Sequence, residues 1–154
     1  IDFGLASLFG KRPEGIRQRE LVHIPMALLV SGRCGFTTAE NIWQRDRIDM
    51  PLITPPAEEP VCRLFQQELR RRKVDWYPSL ELCSVELVGR YVAEGYGAGL
   101  IFDVPAACLP GTRVLPLTGF PAVSFGALWT GNLSPVAAAF LAEAETVARR
   151  IAGL

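Results

Sequence analysis

Residues 84–102 read SVELVGRYVAEGYGAGLIF, and this stretch decides the fold. It predicts a capped helix, a glycine-rich turn and a buried strand. Ser84 can cap the helix, because its hydroxyl accepts a bond from an unpaired N–H of the first turn. Val85, Leu87, Val88, Tyr91 and Val92 recur at spacings of three and four, as on one helical face. Gly95 stands where a left-handed C-cap favours glycine. Leu100-Ile101-Phe102 is a short apolar run of the kind found in buried strands. The glycines close a helix and precede a strand. A dinucleotide fingerprint follows a strand and opens a helix, so that reading is excluded. The free N–H groups and partial positive charge of the helix start make Leu82-Cys83-Ser84 the first place to seek a bound anion or polar ligand. Ser84 capping its helix with nothing bound is an equally physical reading.

The chain has 154 residues, with 16 Lys and Arg against 16 Asp and Glu. That suffices for one domain or two small lobes. A neutral balance argues against this stretch itself gripping nucleic acid. No apolar run reaches the roughly 20 residues that cross a bilayer. The cysteines are Cys34, Cys62, Cys83 and Cys108, and none forms a C-x-x-C pair. His23 stands alone, so no zinc or other metal site and no cofactor is expected. Free thiols in a reducing, cytoplasmic setting are the expectation, with Cys62 in the core.

Outward from the opening stretch, strands are expected at residues 1–6, at 21–31 interrupted by Pro25, at 50–54, at 76–82, at 114–117 and at 122–130. Residues 7–18 read as loop. Thr37 and Glu40 form a capping-box pattern before a short helix. Residues 58–73 make an amphipathic helix with Pro60 in its first turn and Val61, Leu64, Phe65 and Leu69 on one face. Residues 105–108 suggest one helical turn. Ser134-Pro135 starts a last helix running to about Ala152, with Val136, Phe140, Val147 and Ile151 on one face. Alternating strands and helices imply an α/β protein with largely parallel sheets. Ligands in such sheets bind beyond the carboxyl ends of the strands. Ser31, Thr54 and Cys83-Ser84 are the polar groups expected at such ends.

Taken in order, the segments IDFGLA, LVHIPMALLVSGR, PLITPP, WYPSLELCSVELVGRYVAEGYGAGLIF and FGALWTGNLSPVAAAFLAEA resemble the effector-binding domain of LysR-type transcriptional regulators. The resemblance covers nearly all of the chain and rests on order and spacing. It implies a two-lobed fold of the type 2 periplasmic-binding-protein kind, hinged by two crossing strands, with a small molecule between the lobes. It assigns residues 1–30 and 125–154 to subdomain I and 31–124 to subdomain II. It places Ser31, Thr54, Cys83, Ser84 and Phe102 as ligand-binding candidates. Cys83 stands where the family often has threonine and is a poorer hydrogen-bond donor. The family's N-terminal winged helix-turn-helix and the opening of subdomain I have no counterpart here, so DNA binding belongs to that missing part.

The resemblance therefore implies a sensor of a small, anionic or polar effector, homo-oligomeric and not membrane-bound. A free-standing solute-binding protein of the same fold is the alternative; a signal peptide upstream would favour it. An enzyme is disfavoured, since no nucleophile–base pair and no paired carboxylates stand out. Two further expectations concern architecture. Leu28–Ser31 and Phe125–Trp129 should be adjacent crossing segments. The helices spanning Val61–Leu69 and Val136–Ile151 should supply a dimer interface.

Overall fold

The computed structural model describes residues 3–45, 47–107 and 109–151. The chain divides into two compact units, residues 1–24 with 122–154, and residues 25–121. It changes unit beside Pro25 and Pro121. The boundaries expected from the sequence would instead cut through strands. Pro25 explains the difference. It lacks a ladder donor, so the run 21–31 breaks into two strands that belong to different sheets.

In the first unit, β1 (Phe3–Ser7), β2 (Ile16–Ile24) and β8 (Val123–Thr130) form an antiparallel sheet in the order β1-β8-β2. Part of the expected loop at residues 7–18 is thus strand. A bulge between Glu20 and Val22 shifts the register against β8. The long helix α4 (Pro135–Ile151) is capped by Ser134 Oγ, which accepts from Ala137 N at 3.2 Å. It buries Leu141 and Ala148, whereas Val136, Phe140, Val147 and Ile151 remain exposed. Phe140 meets Phe3 edge-on at 5.4 Å. The helix end expected at Ala152 lies outside the described residues.

The second unit carries the five-stranded sheet β5-β4-β6-β3-β7. Its strands are β3 (Met26–Ser31), β4 (Leu52–Thr54), β5 (Pro78–Glu81), β6 (Ala98–Phe102) and β7 (Thr112–Pro116). The strands β5, β4 and β6 run parallel to one another, whereas β3 is antiparallel to both β6 and β7. The sheets are therefore less parallel than the alternation of elements suggests. The segments Leu28–Ser31 and Phe125–Trp129 lie in different sheets and do not pair.

Helices cover both faces of this sheet, so β3, β4 and β6 are almost wholly buried. Ala27, Leu29, Ile53 and Ile101 pack with Val88 and Val92 of α3 (Val85–Ala93). Strand alternation sends Leu28, Leu52, Thr54 and Leu100 to the opposite face, which α2 (Pro60–Arg71) covers with Val61, Cys62, Phe65 and Leu69. Those side chains are core, so the apolar face of α2 is turned inward and only its polar face, with Arg63, Gln67 and Arg70, is exposed. The short helix α1 (Glu40–Trp43) has no capping box. Asn41 Oδ1 instead collects the N–H groups of Thr37 and Thr38 and the Thr37 hydroxyl. A 3₁₀ turn spans Pro105–Ala107; Cys108 lies outside the described residues.

Glu68 on α2 is buried yet charged. Arg71 holds it through two hydrogen bonds of 2.8 and 2.6 Å and Arg72 through one of 2.7 Å. The Arg71 hydrogen bonds, working against burial and helped by Arg72, bring the carboxyl from 4.5 down to about 2. A carboxylate with a lowered folded-state pKa stabilises above its unfolded value and loses that contribution as pH falls. Arg71 is 70% accessible, so water screens the pair. After that discount the contribution is about 1–2 kcal/mol. Denaturant titrations of wild type and Glu68→Gln should differ by that amount near pH 6 and converge between pH 4.5 and 2. A constant difference across that window would contradict the assignment.

Candidate functional site

The C-terminal ends of β4, β5 and β6 form one edge of the second unit. Thr54 ends β4 and pairs with Glu81, the last residue of β5. Thr54 O accepts from Leu82 N at 2.9 Å, which brings Cys83 and Ser84 directly beside it. Phe102 ends β6 at the same edge, half-buried. Four of the five expected site residues are thus gathered. Ser31 is not among them. Because β3 runs antiparallel to β6, its last residue sits at the end of the sheet where β6 begins, opposite Thr112. The expectation assumed a parallel β3.

Thr54 is the most informative of the four. It is fully buried, and its Oγ1 has no hydrogen-bond partner. A buried hydroxyl left unpaired costs about 1–3 kcal/mol. It lies against the Cys62 thiol and draws that thiol's pKa down, but burial outweighs it and pushes the thiol up, helped by the Glu81 and Glu58 carboxylates. A thiol is a weak partner and the pair does not reach hydrogen-bond geometry, so Thr54 counts as unsatisfied. Ser84 is half-buried, and its Oγ accepts from Leu87 N at 3.3 Å. Its oxygen therefore caps α3, while its O–H stays able to donate. Cys83 is an exposed free thiol.

A cavity of about 480 Å³ opens beside this edge, lined by Ala57, Cys62, Arg63, Tyr77 and Glu81 among others. None of Thr54, Cys83, Ser84 and Phe102 lines this cavity, and the sequence singles out neither Arg63 nor Glu81, which do. The one signal was their position, on the first turns of α2 and at the last residue of β5. A second hollow, of about 420 Å³, lies under α4 in the first unit and is lined by Leu5, Leu21, Phe125, Phe140 and Val147 with one carboxylate, Glu143. Its walls offer few groups that could orient a small molecule. His23 is exposed on β2, its Nε2 2.8 Å from Glu20 and its Nδ1 2.9 Å from Ser124 Oγ. It is a satisfied strand histidine, as its isolation in the sequence suggests.

Among the described residues, Cys34, Cys62 and Cys83 are free thiols, and no cluster of His, Cys, Asp or Glu could hold a metal. No helix among them is long and apolar enough to cross a membrane.

The sequence pattern of the family described as LysR substrate binding domain matches residues 1–149. No curated protein matches the chain in sequence. Among solved structures, the chain is similar to HinK, a LysR family transcriptional regulator from Pseudomonas aeruginosa. The TM-score is 0.72 at 18% identity, over 94% of this chain and 52% of that one. It is similar to the CcmR regulatory domain from Synechocystis PCC6803 in complex with 2-PG, with a TM-score of 0.75 at 18% identity, over 97% of this chain and 74% of that one. It is also similar to the BenM effector-binding domain with its effector benzoate, with a TM-score of 0.73 at 17% identity, over 99% of this chain and 71% of that one. The chain thus spans about half the length of the full-length regulators it matches.

Proposed function

Because this chain belongs to the family of LysR substrate-binding domains, we propose that it senses a small-molecule effector for a bacterial transcriptional regulator, using the edge formed by Thr54, Cys83, Ser84 and Phe102. The observation that carries the reading is the buried, unpartnered Thr54 hydroxyl at the carboxyl end of β4. Ligands in α/β sheets collect at such ends, and an orphaned buried donor is stabilised by any acceptor a ligand brings. The neighbours bound to 2-PG and benzoate are regulator domains, which favours sensing over transport by a free-standing binding protein. DNA contact falls to a helix-turn-helix elsewhere in the regulator, homo-oligomers are its working form, and its setting is cytoplasmic. The chemistry is recognition, not catalysis.

The test is calorimetry on the full-length regulator with the effector that its target promoter responds to. Thr54→Val keeps the side-chain shape and removes the hydroxyl. It should weaken binding by about 1–3 kcal/mol while leaving the folded domain at least as stable, since the orphaned hydroxyl is gone. Ser84→Ala should cost about 1 kcal/mol of stability through the lost cap. Unchanged affinity in Thr54→Val would place the site elsewhere.

A further inference from the structure

The two units differ in how well their sheets are covered. In the second, helices pack on both faces of five strands. In the first, three strands share one helix among the described residues. So thin a layer leaves apolar surface facing water. Leu5 on β1 and Phe140, Val147 and Ile151 on α4 are all exposed. With Leu21 and Phe125 they line one groove of about 420 Å³. A contiguous apolar surface of this kind marks a packing site. Glu143 is the one charged residue in the lining, and its pair with Arg150 is loose at 3.8 Å.

The two edges of this sheet also differ. In the order β1-β8-β2, both β1 and β2 have a free side. The strand β2 reads IRQRELVHI and carries Arg17, Arg19, Glu20 and His23. Charges along a strand keep an exposed edge from pairing. The strand β1 reads FGLAS and has neither a charge nor a proline. An edge without that protection accepts a further strand. This edge adjoins the groove, because Leu5 and Ala6 of β1 line it.

The matched folds show how much more a domain of this kind holds. This chain is covered over 97% by the CcmR regulatory domain and over 99% by the BenM effector-binding domain, yet it spans only 74% and 71% of them. More than a quarter of each domain therefore has no counterpart in it. Both faces of the second unit's sheet are already covered, whereas the first unit has an open groove and an open edge. We infer that the part of the regulator outside this chain completes the first unit. One of its strands pairs along the free side of β1, and one of its amphipathic helices lies in the groove beside α4. Covering the groove takes Glu143 out of water, so that helix brings a Lys or Arg to it. The apolar face of α4 thus serves the folding of the domain and not contact between copies. Nothing at the Thr54 edge is involved, so the failure of this inference would leave the effector-sensing reading standing.

The experiment makes the regulator's stretch upstream of this chain, without its helix-turn-helix, as a separate polypeptide and mixes it with the chain. Sedimentation should show a one-to-one complex. Emission from anilinonaphthalene sulfonate bound to the chain should fall. Hydrogen exchange should slow at the amides of Phe3–Ser7 that point away from β8, while amides on the free side of β2 keep their rates. Val147 and Glu143 are exposed in the chain, so Val147→Gln and Glu143→Lys should leave its own melting unchanged. Each should weaken the complex by about tenfold or more, as the loss of one buried contact implies. No complex, protection at β2 in place of β1, or a complex that Val147→Gln leaves as tight would overturn the inference. An upstream stretch without an amphipathic helix would overturn it before any mixing. So would a dimer of the chain that Val147→Gln dissociates and the upstream polypeptide does not displace, since a second copy would then be the occupant.

Discussion

Phe65→Ala is expected to destabilise the second unit by about 3–5 kcal/mol, the range for deleting a buried aromatic ring. Phe65 is fully inaccessible. It stacks on Phe120 with centroids 5.5 Å apart and meets Trp76 edge-on at 6.3 Å. Trp43 closes the group against Trp76 at 6.4 Å and Phe120 at 5.9 Å. Arg72 lies over the outer face of Phe120 at 4.6 Å. Trp76 Nε1 donates to Met50 O at 2.7 Å, which ties the cluster to the segment entering β4. Aromatic rings packed this way cannot collapse far into a void, so the lost transfer energy and the cavity both count. Urea unfolding followed by tryptophan fluorescence should show a lower midpoint with an unchanged slope. A loss under about 1 kcal/mol would mean that the ring cluster is not the centre of this core.

Much of this was legible in the sequence because the elements of the second unit satisfy local rules. Ser84 caps α3, Pro60 opens α2, and Pro135 follows the Ser134 cap of α4. Each rule concerns neighbours along the chain, so sequence alone exposes it. Register and direction are different. Ser31 ends a strand as expected, but whether that end lies beside Thr54 depends on whether β3 runs with β6 or against it. Hydrophobic periodicity is identical in the two cases. The faces of helices were read only in part. Val61, Phe65 and Leu69 are core, whereas Val136, Phe140, Val147 and Ile151 are exposed although they share a stripe just as apolar. Periodicity marks a face that can be buried and does not name what covers it. The Thr54 position was legible as a strand end. That its hydroxyl would be buried without a partner was not, because the covering residue, Cys62, arrives from the next helix.

The glycines of the opening stretch, alike in sequence, should respond differently to substitution. Gly95 has a φ of 86° and nothing within 4 Å of an added Cβ. It is there for its left-handed backbone after α3, so Gly95→Ala should cost about 1 kcal/mol from strain alone. Gly97 has no such φ. A Cβ there would overlap the carbonyl oxygen of Pro51 and crowd its carbonyl carbon. That oxygen accepts from Ala98 N at 2.9 Å, next to the first paired residues of β4 and β6, Leu52 and Ala98. Relief of the overlap requires backbone to move, because no flexible side-chain tip is available to give way. Gly97→Ala should therefore cost about 2–3 kcal/mol, at the upper end for an added methyl in a packed interior, and should loosen the pairing of β4 with β6. Hydrogen exchange at Ala98 N should accelerate in Gly97→Ala beyond the change in global stability and should follow global stability alone in Gly95→Ala. Since Thr54 closes β4, the same substitution should also disturb effector binding, although Gly97 stands at the opposite end of the strand pair. Equal losses of stability in the two variants, with no selective exchange at Ala98, would refute the close approach of Gly97 to Pro51.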